Sequence, residues 1–183
     1  MVTQKLATKR QPTKTAYLTI DDAPSSDLQA KTDFLTMAGI PAVFFCIGSQ
    51  VTPDREESVR EAIRKGFLIG NHSWSHPSFE TLSIEEATDE ISRTEQIIER
   101  LYHEASVPRP IRLFRFPYLN KGGRHREALQ ELLRKMGFRQ PHFENLTLTP
   151  FDEQPGDVDV SCTYDTMDWT VAKGIGFRRP SED

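Results

Sequence analysis

Short apolar runs alternate along this chain with segments that repeat apolar side chains at helical spacing. The runs cover residues 16–20, 42–47, 67–70 and 111–115. Strands that alternate with helices predict a parallel sheet or barrel with crossover helices. Ligands of such folds bind at the carboxyl ends of the strands. The sequence therefore predicts an α/β fold and directs attention to the residues that follow each run.

The expected helix boundaries share two signals, a capping residue at the start and a glycine at the end. Starts are expected at Ser25 or Ser26 and at the capping boxes Asp54–Glu57 and Ser83–Glu86, and ends at Gly39, Gly66 and Gly137. In the first helix, Leu28, Phe34 and Leu35 are expected to be apolar contacts. Residues 138–146 and 158–164 are expected to form further strands.

A length of 183 residues suits one domain. We expect residues 1–15 to be a flexible leader, residues 16–169 to be the catalytic domain and residues 170–183 to be an irregular tail. The net charge of −4 gives no reason to expect a nucleic acid as partner. Neither a signal peptide nor a membrane span is recognisable. A cytoplasmic protein with Cys46 and Cys162 as reduced thiols is therefore expected.

Two polar motifs follow the first and third apolar runs. Asp21 and Asp22 end the first run, and His72 and His76 follow the third. Two imidazoles and one carboxylate suit a catalytic zinc-type centre, and the spare carboxylate can face the substrate. The alternatives are a pair of turn carboxylates or an Asx cap for the next helix, and two surface histidines beside a buried Trp74. The shared alternation pattern favours the metal site.

A third motif, Arg115-Phe116-Pro117-Tyr118, follows the fourth run. The guanidinium of Arg115 could hold a carboxylate by paired hydrogen bonds. Pro117 stiffens the loop, so that the amide of Tyr118 could be aimed at an oxyanion. The alternative is an aromatic loop on the rim of the fold with an exposed arginine.

A fourth motif places two acids beside an indole. Asp165 or Asp168 could orient a neighbouring side chain, and Trp169 could form the wall of a sugar-binding groove. The alternative, equally compatible with these residues, is a helix N-cap followed by a core tryptophan.

The four motifs, in this order, resemble those of the polysaccharide deacetylases, the NodB-homology domains of carbohydrate esterase family 4. The matching residues are Thr19-Ile20-Asp21-Asp22-Ala23-Pro24, His72-Ser73-x-x-His76, Arg115-x-Pro117-Tyr118 and Asp165-x-x-Asp168-Trp169. The resemblance runs from about Tyr17 to Trp169. It implies a distorted (β/α) barrel and a metal-dependent hydrolase. Its substrate would be an acetylated carbohydrate, with N- or O-linked acetyl groups, or a small amide with a related non-peptide C–N bond.

The resemblance also implies roles for the motif residues. Asp22, His72 and His76 resemble the ligands of a divalent metal ion, with zinc as the expected ion. Asp21 resembles the general base, Arg115 its partner and Tyr118 the oxyanion donor and a substrate contact. Asp165 or Asp168 resembles a member of the group that tunes a general-acid histidine, and Trp169 resembles a substrate-binding wall.

The chain also departs from the family pattern. Ala23 stands where glycine is usual, and Leu119 follows Tyr118 where a glycine is common. The family's last motif carries the acid histidine, but residues 170–183 contain no histidine. We therefore expect a barrel that is incomplete at its C-terminal end. The alternative function is a catalytically weak or inactive remnant that binds a metal ion or a glycan.

Overall fold

The computed structural model describes residues 16–142, 150 and 152–167. Its sheet has the order β1-β2-β3, with β1 at Leu18–Ala23, β2 at Ala42–Cys46 and β3 at Leu68–Asn71. Both strand pairs are parallel. Parallel neighbours need a crossover connection, and a helix lies between each pair along the chain. The predicted α/β class is thereby confirmed.

The helices of the described residues occupy the expected segments. They are α1 (Leu28–Ala38), α2 (Glu56–Arg64), α3 (Ile84–Glu104) and α4 (Arg126–Lys135). Gly39 ends α1 with a φ of 67°, a left-handed conformation that glycine adopts without steric cost. At the start of α3, Ser83 and Glu86 form the predicted capping box. The signals at these boundaries are therefore read correctly from the sequence.

Three local predictions are wrong. The N-cap of α1 is Asp27, because the amide of Leu28 bonds back to the carbonyl of Ser25 in a turn that precedes the helix. The N-cap of α2 is Arg55 and not Asp54, since a turn at Thr52 shifts the helix start. The side chain of Phe34 is 67% exposed on the outer face of α1.

Residues 111–115 extend the sheet beyond β3 through single bridges rather than as a regular strand. Asn71 pairs with Phe114, and Arg112 pairs with Phe138. On the other side of this segment, the amide of Val160 donates to the carbonyl of Phe114 at 2.7 Å. The sequence predicts regular strands at 138–146 and 158–164, but the described residues there make only single backbone contacts, the bridge at Phe138 and the hydrogen bond from Val160. Residues 143–146 lie outside the described residues.

Apolar clusters cover both faces of the sheet. The larger cluster fills the space between the sheet and α1, α2 and α3. A second cluster packs α4 against a group of phenylalanines that meet edge to face, namely Phe79, Phe114, Phe116 and Phe138. On the opposite face, the ring of Phe45 lies over Gly70, where a Cβ atom would approach it to 2.6 Å. The two faces of the sheet are therefore covered in the described part of the chain, and its strand ends carry the polar motifs.

Both cysteines are free thiols, Cys46 in the core and Cys162 partly buried. Among the described residues, no helix combines the length and the apolar character needed to cross a membrane.

Candidate metal centre

A bulge at the end of β1 presents two neighbouring carboxylates. The pairing of β1 with β2 shifts register between Ile20 and Ala23, so that Asp21 and Asp22 stand outside the regular ladder. Asp22 has a φ of 58°, which turns its side chain away from that of Asp21. The strand therefore continues through the two aspartates instead of ending before them as predicted. Their carboxylates point in different directions and can do different work.

His72 follows β3 and is fixed at three points. Its amide donates to the carbonyl of Cys46 at 2.9 Å, and its Nδ1 lies 2.8 Å from the carbonyl oxygen of Arg115. Because a carbonyl only accepts, Nδ1 carries the proton and Nε2 keeps a free lone pair. Burial lowers the pKa of His72, and the nearby carboxylate of Asp21 offsets this only in part. A neutral imidazole with an open Nε2 is the form that binds a metal ion.

Asp22, His72 and His76 come together at this edge of the sheet. Oδ1 of Asp22 lies 3.7 Å from Nε2 of His72 and 3.4 Å from Nε2 of His76. All three ligand atoms lie within 4.8 Å of one another. A tetrahedral ion with bonds of about 2.1 Å holds its ligand atoms about 3.4 Å apart. The three side chains therefore fit a divalent metal ion and leave room for a further ligand.

The loop that carries His76 contains two left-handed residues, Ser73 with a φ of 68° and His76 with a φ of 61°. Such conformations are unfavourable for residues other than glycine and persist only where the surroundings impose them. Within the loop, the amide of His76 donates to the hydroxyl of Ser73, and the amide of Ser73 donates to the side chain of Asn71.

Helix α3 holds the same loop from outside. The carboxylate of Glu90 accepts hydrogen bonds from the amides of Trp74 and Ser75 at 2.9 and 2.8 Å, and another from the hydroxyl of Ser75. One helical turn further, the guanidinium of Arg93 lies 3.9 Å from the centre of the Trp74 ring. Sequence reasoning missed Glu90, since an acid on an amphipathic helix gives no sign of its partner.

Arg115 contacts both Asp21 and His72. Its Nη1 donates to Oδ1 of Asp21 at 2.8 Å and to the hydroxyl of Thr19. Its side chain is only 3% exposed, so this is a buried arginine and not the exposed one of the alternative prediction. The backbone carbonyl of Arg115 fixes His72. The carboxylate of Asp21 is therefore held beside the metal-ligand cluster.

Tyr118 lies beside the cluster with its backbone in a left-handed turn at a φ of 58°. The residue is 70% exposed, and the centre of its ring lies 4.6 Å from the centre of the His76 ring, close to edge to face. Asp165 is exposed, and its carboxylate accepts a hydrogen bond from the amide of Met167. Asp168 and Trp169 lie outside the described residues.

The chain matches a family model and several known proteins. Residues 8–141 match the model described as polysaccharide deacetylase. Chitin deacetylase 1 of Cryptococcus neoformans is 28% identical over 157 residues, which are 86% of this chain and 29% of that enzyme. A peptidoglycan-N-acetylmuramic acid deacetylase of Bacillus subtilis is 38% identical over 89 residues, 48% of this chain and 19% of that protein.

Solved structures agree with the sequence matches. A family 4 carbohydrate esterase from Streptomyces lividans, solved in complex with acetate, superposes with a TM-score of 0.57 at 30% identity. The superposition covers 70% of this chain and 62% of the esterase. The chain thus spans less than half of the length of the curated relatives and less than two thirds of this solved relative.

Proposed function

This chain belongs to the polysaccharide deacetylase family, and we propose that it is a metal-dependent hydrolase that removes acetyl groups from a carbohydrate. The observation that carries the proposal is the meeting of Asp22, His72 and His76 beside a second carboxylate, Asp21, that is held by a buried arginine. The named substrates of the relatives, chitin and peptidoglycan, are both carbohydrates. The proposed activity covers N-linked and O-linked acetyl groups, and also the hydrolysis of related non-peptide C–N bonds.

We propose that Asp22, His72 and His76 hold zinc. Two imidazole nitrogens and one carboxylate oxygen form a donor set that catalytic zinc sites use, and they leave one position open. A bound zinc ion would polarise the acetyl carbonyl and lower the pKa of a water molecule to about 7.

Asp21 is assigned the role of general base. Its carboxylate accepts a hydrogen bond from Arg115, which keeps one oxygen in place. The carboxylate would take a proton from the attacking water, a step typically worth about 10²–10⁴-fold in rate. The amide of Tyr118 is assigned to the oxyanion, in keeping with the position of this residue against His76.

The remaining motif residues are assigned by family analogy alone. Asp165 and Asp168 would tune the group that protonates the leaving amine, and Trp169 would contact the sugar. In the family, a histidine protonates the leaving amine. A second candidate function, metal or glycan binding without turnover, is favoured because the other described histidines lie outside the site. His103 is exposed near the end of α3, and neither His125 nor His142 belongs to the metal-ligand cluster of the described residues.

Acetate release separates these candidates. The full chain is incubated with N-acetylated chitooligosaccharides or acetylated xylooligosaccharides, with zinc or after removal of metal by a chelator. We expect zinc-dependent acetate release that falls about 100-fold or more in Asp21→Asn, with zinc binding retained. An exposed aspartate, Asp89, supplies the matched control, and Asp89→Asn should behave as the wild type. Zinc binding without acetate release from any substrate would support the second candidate instead.

A further inference from the structure

A buried ion cluster lies away from the metal centre. The ammonium group of Lys121 lies 2.8 Å from a carboxylate oxygen of Asp157 and 3.2 Å from one of Asp159. The side chains of Lys121 and Asp159 are each only 2% exposed. Gln130 donates to the second oxygen of Asp159 at 2.7 Å, and Arg126 contacts Asp157. Buried charges of this kind carry a large desolvation cost, and replacing such pairs by apolar residues is often neutral or stabilising.

The cluster fixes one end of the segment Asp157–Ser161. Besides its ion pairs, this segment is held by Gln130, whose side-chain oxygen accepts from the amide of Val158, and by Gln140, which donates to the carbonyl of Asp159. The segment forms no regular strand and bonds to the backbone of Phe114 through Val160. Side-chain contacts therefore replace the ladder that would fix a strand.

The other end of the same segment receives Arg115. Nε of Arg115 donates to the carbonyl of Val160 at 2.9 Å, and Nη2 donates to the carbonyl of Ser161 at 3.2 Å. These two bonds set the plane of the guanidinium, whose remaining nitrogen holds Asp21. A displacement of the two carbonyls would rotate the guanidinium and release that carboxylate.

From this geometry we propose that Lys121 is a positioning residue. By neutralising Asp157 and Asp159 it holds the segment Asp157–Ser161 in place, and through Arg115 it sets the position of Asp21. Lys121 touches neither the metal ligands nor Asp21, so that it acts on the base and leaves metal binding alone. The kinetic part of this inference rests on the function proposed above, whereas the geometric part does not.

The test compares a single and a charge-balanced double variant. Lys121→Met leaves the buried carboxylate of Asp159 without a cation, whereas Asp157 keeps Arg126, and should lower the melting temperature. In Lys121→Met/Asp159→Asn that charge is removed, while the introduced amide oxygen can still accept from Gln130, so that much of the melting temperature should return. We expect both variants to keep zinc affinity within about threefold and to lose about tenfold or more in kcat. Lys135→Met, at an exposed lysine of α4, is the matched control.

If Lys121 only stabilises the fold, the kcat of the double variant should return together with its melting temperature. That result would overturn the proposal. If the wild type releases no acetate, the proposed function fails, and a second measurement decides the inference by itself. The Nε–H resonance of Arg115 should exchange slowly with solvent in the wild type and about tenfold faster or more in the double variant. Unchanged exchange would contradict the proposal.

Discussion

The two sides of the site are built by different means. His72 and His76 stand on a loop between β3 and α3, and their positions are set by backbone bonds to the sheet and by Glu90 of α3. Asp21 is set by Arg115, which depends on the irregular segment Asp157–Ser161. Regular structure thus supports the metal ligands, and buried polar contacts support the base. Only the backbone of Arg115 reaches the histidine side, where its carbonyl holds His72, whereas the side chain of Arg115 holds Asp21. We therefore expect that side-chain changes can remove base positioning without removing metal binding.

The largest expected effect concerns the metal ligands. His76→Ala removes one of the three proposed metal ligands. The side chain of His76 is partly exposed, so that the fold should tolerate the change. We expect zinc affinity to fall by roughly 100-fold or more, measured by calorimetric titration of the metal-free chain. His103→Ala, at the exposed histidine of α3, is the control and should bind zinc as the wild type does. Unchanged affinity in His76→Ala would remove this residue from the centre.

Arg115→Lys tests whether the base side can fail alone. Lysine keeps the positive charge but cannot reproduce the planar set of bonds to Asp21, Val160 and Ser161. Acetate release should fall by about 100-fold, while zinc affinity changes by no more than about threefold. Arg139→Lys, at an exposed arginine, provides the comparison. A parallel loss of zinc affinity would show that the two sides share one support.

Glu90→Gln tests the support of the histidine side. The amides of Trp74 and Ser75 share one oxygen of Glu90, and the hydroxyl of Ser75 donates to the other. Glutamine replaces the charged acceptor of the two amides by a weaker neutral one and puts an amino group in place of the second oxygen. Zinc affinity should fall by about 10–100-fold, as for other residues that orient metal ligands. Glu85→Gln, an exposed acid on the same helix, is the matched control. Zinc affinity equal in the two variants would mean that the loop holds its shape without α3.

The smallest expected effect concerns the start of α3. Hydrogen bonds from the backbone and side chain of Ser83 hold the pKa of Glu86 below its usual value of 4.5. A lowered folded-state pKa gives stability that is present above pH 4.5 and is lost as the pH falls through the folded value. Ser83→Ala should lower the melting temperature at pH 7 by about 2–4 °C and leave zinc affinity unchanged. The difference between variant and wild type should shrink in acid.

The sequence predicts the metal ligands better than it predicts their supports. Asp22, His72 and His76 are recognisable because short motifs follow apolar runs whose carboxyl ends meet at one edge of a parallel sheet. Glu90 and Lys121 resemble ordinary surface charges of amphipathic or loop segments. Their partners are distant in the chain or belong to the backbone, and no spacing rule connects them.

The contrast between local motifs and distant contacts also explains the errors in the predicted fold. The glycine that ends α1 and the capping box of α3 are local features, and both are predicted correctly. The bridge at Phe114 and the hydrogen bond from Val160 depend on contacts between distant segments, whereas the sequence predicts a regular strand at each. Phe34 is apolar and yet exposed, because the buried stripe of α1 runs through Leu28, Thr32 and Leu35. Closure of the sheet into a barrel stays a prediction.

Diffraction from crystals of the full chain grown with zinc tests the central claim most directly. Data collected on the two sides of the zinc absorption edge locate the ion without reference to activity. We expect one anomalous peak within about 2.0–2.2 Å of Oδ1 of Asp22 and of Nε2 of His72 and His76. A zinc ion bound elsewhere, with these three side chains left free of metal, would contradict the account.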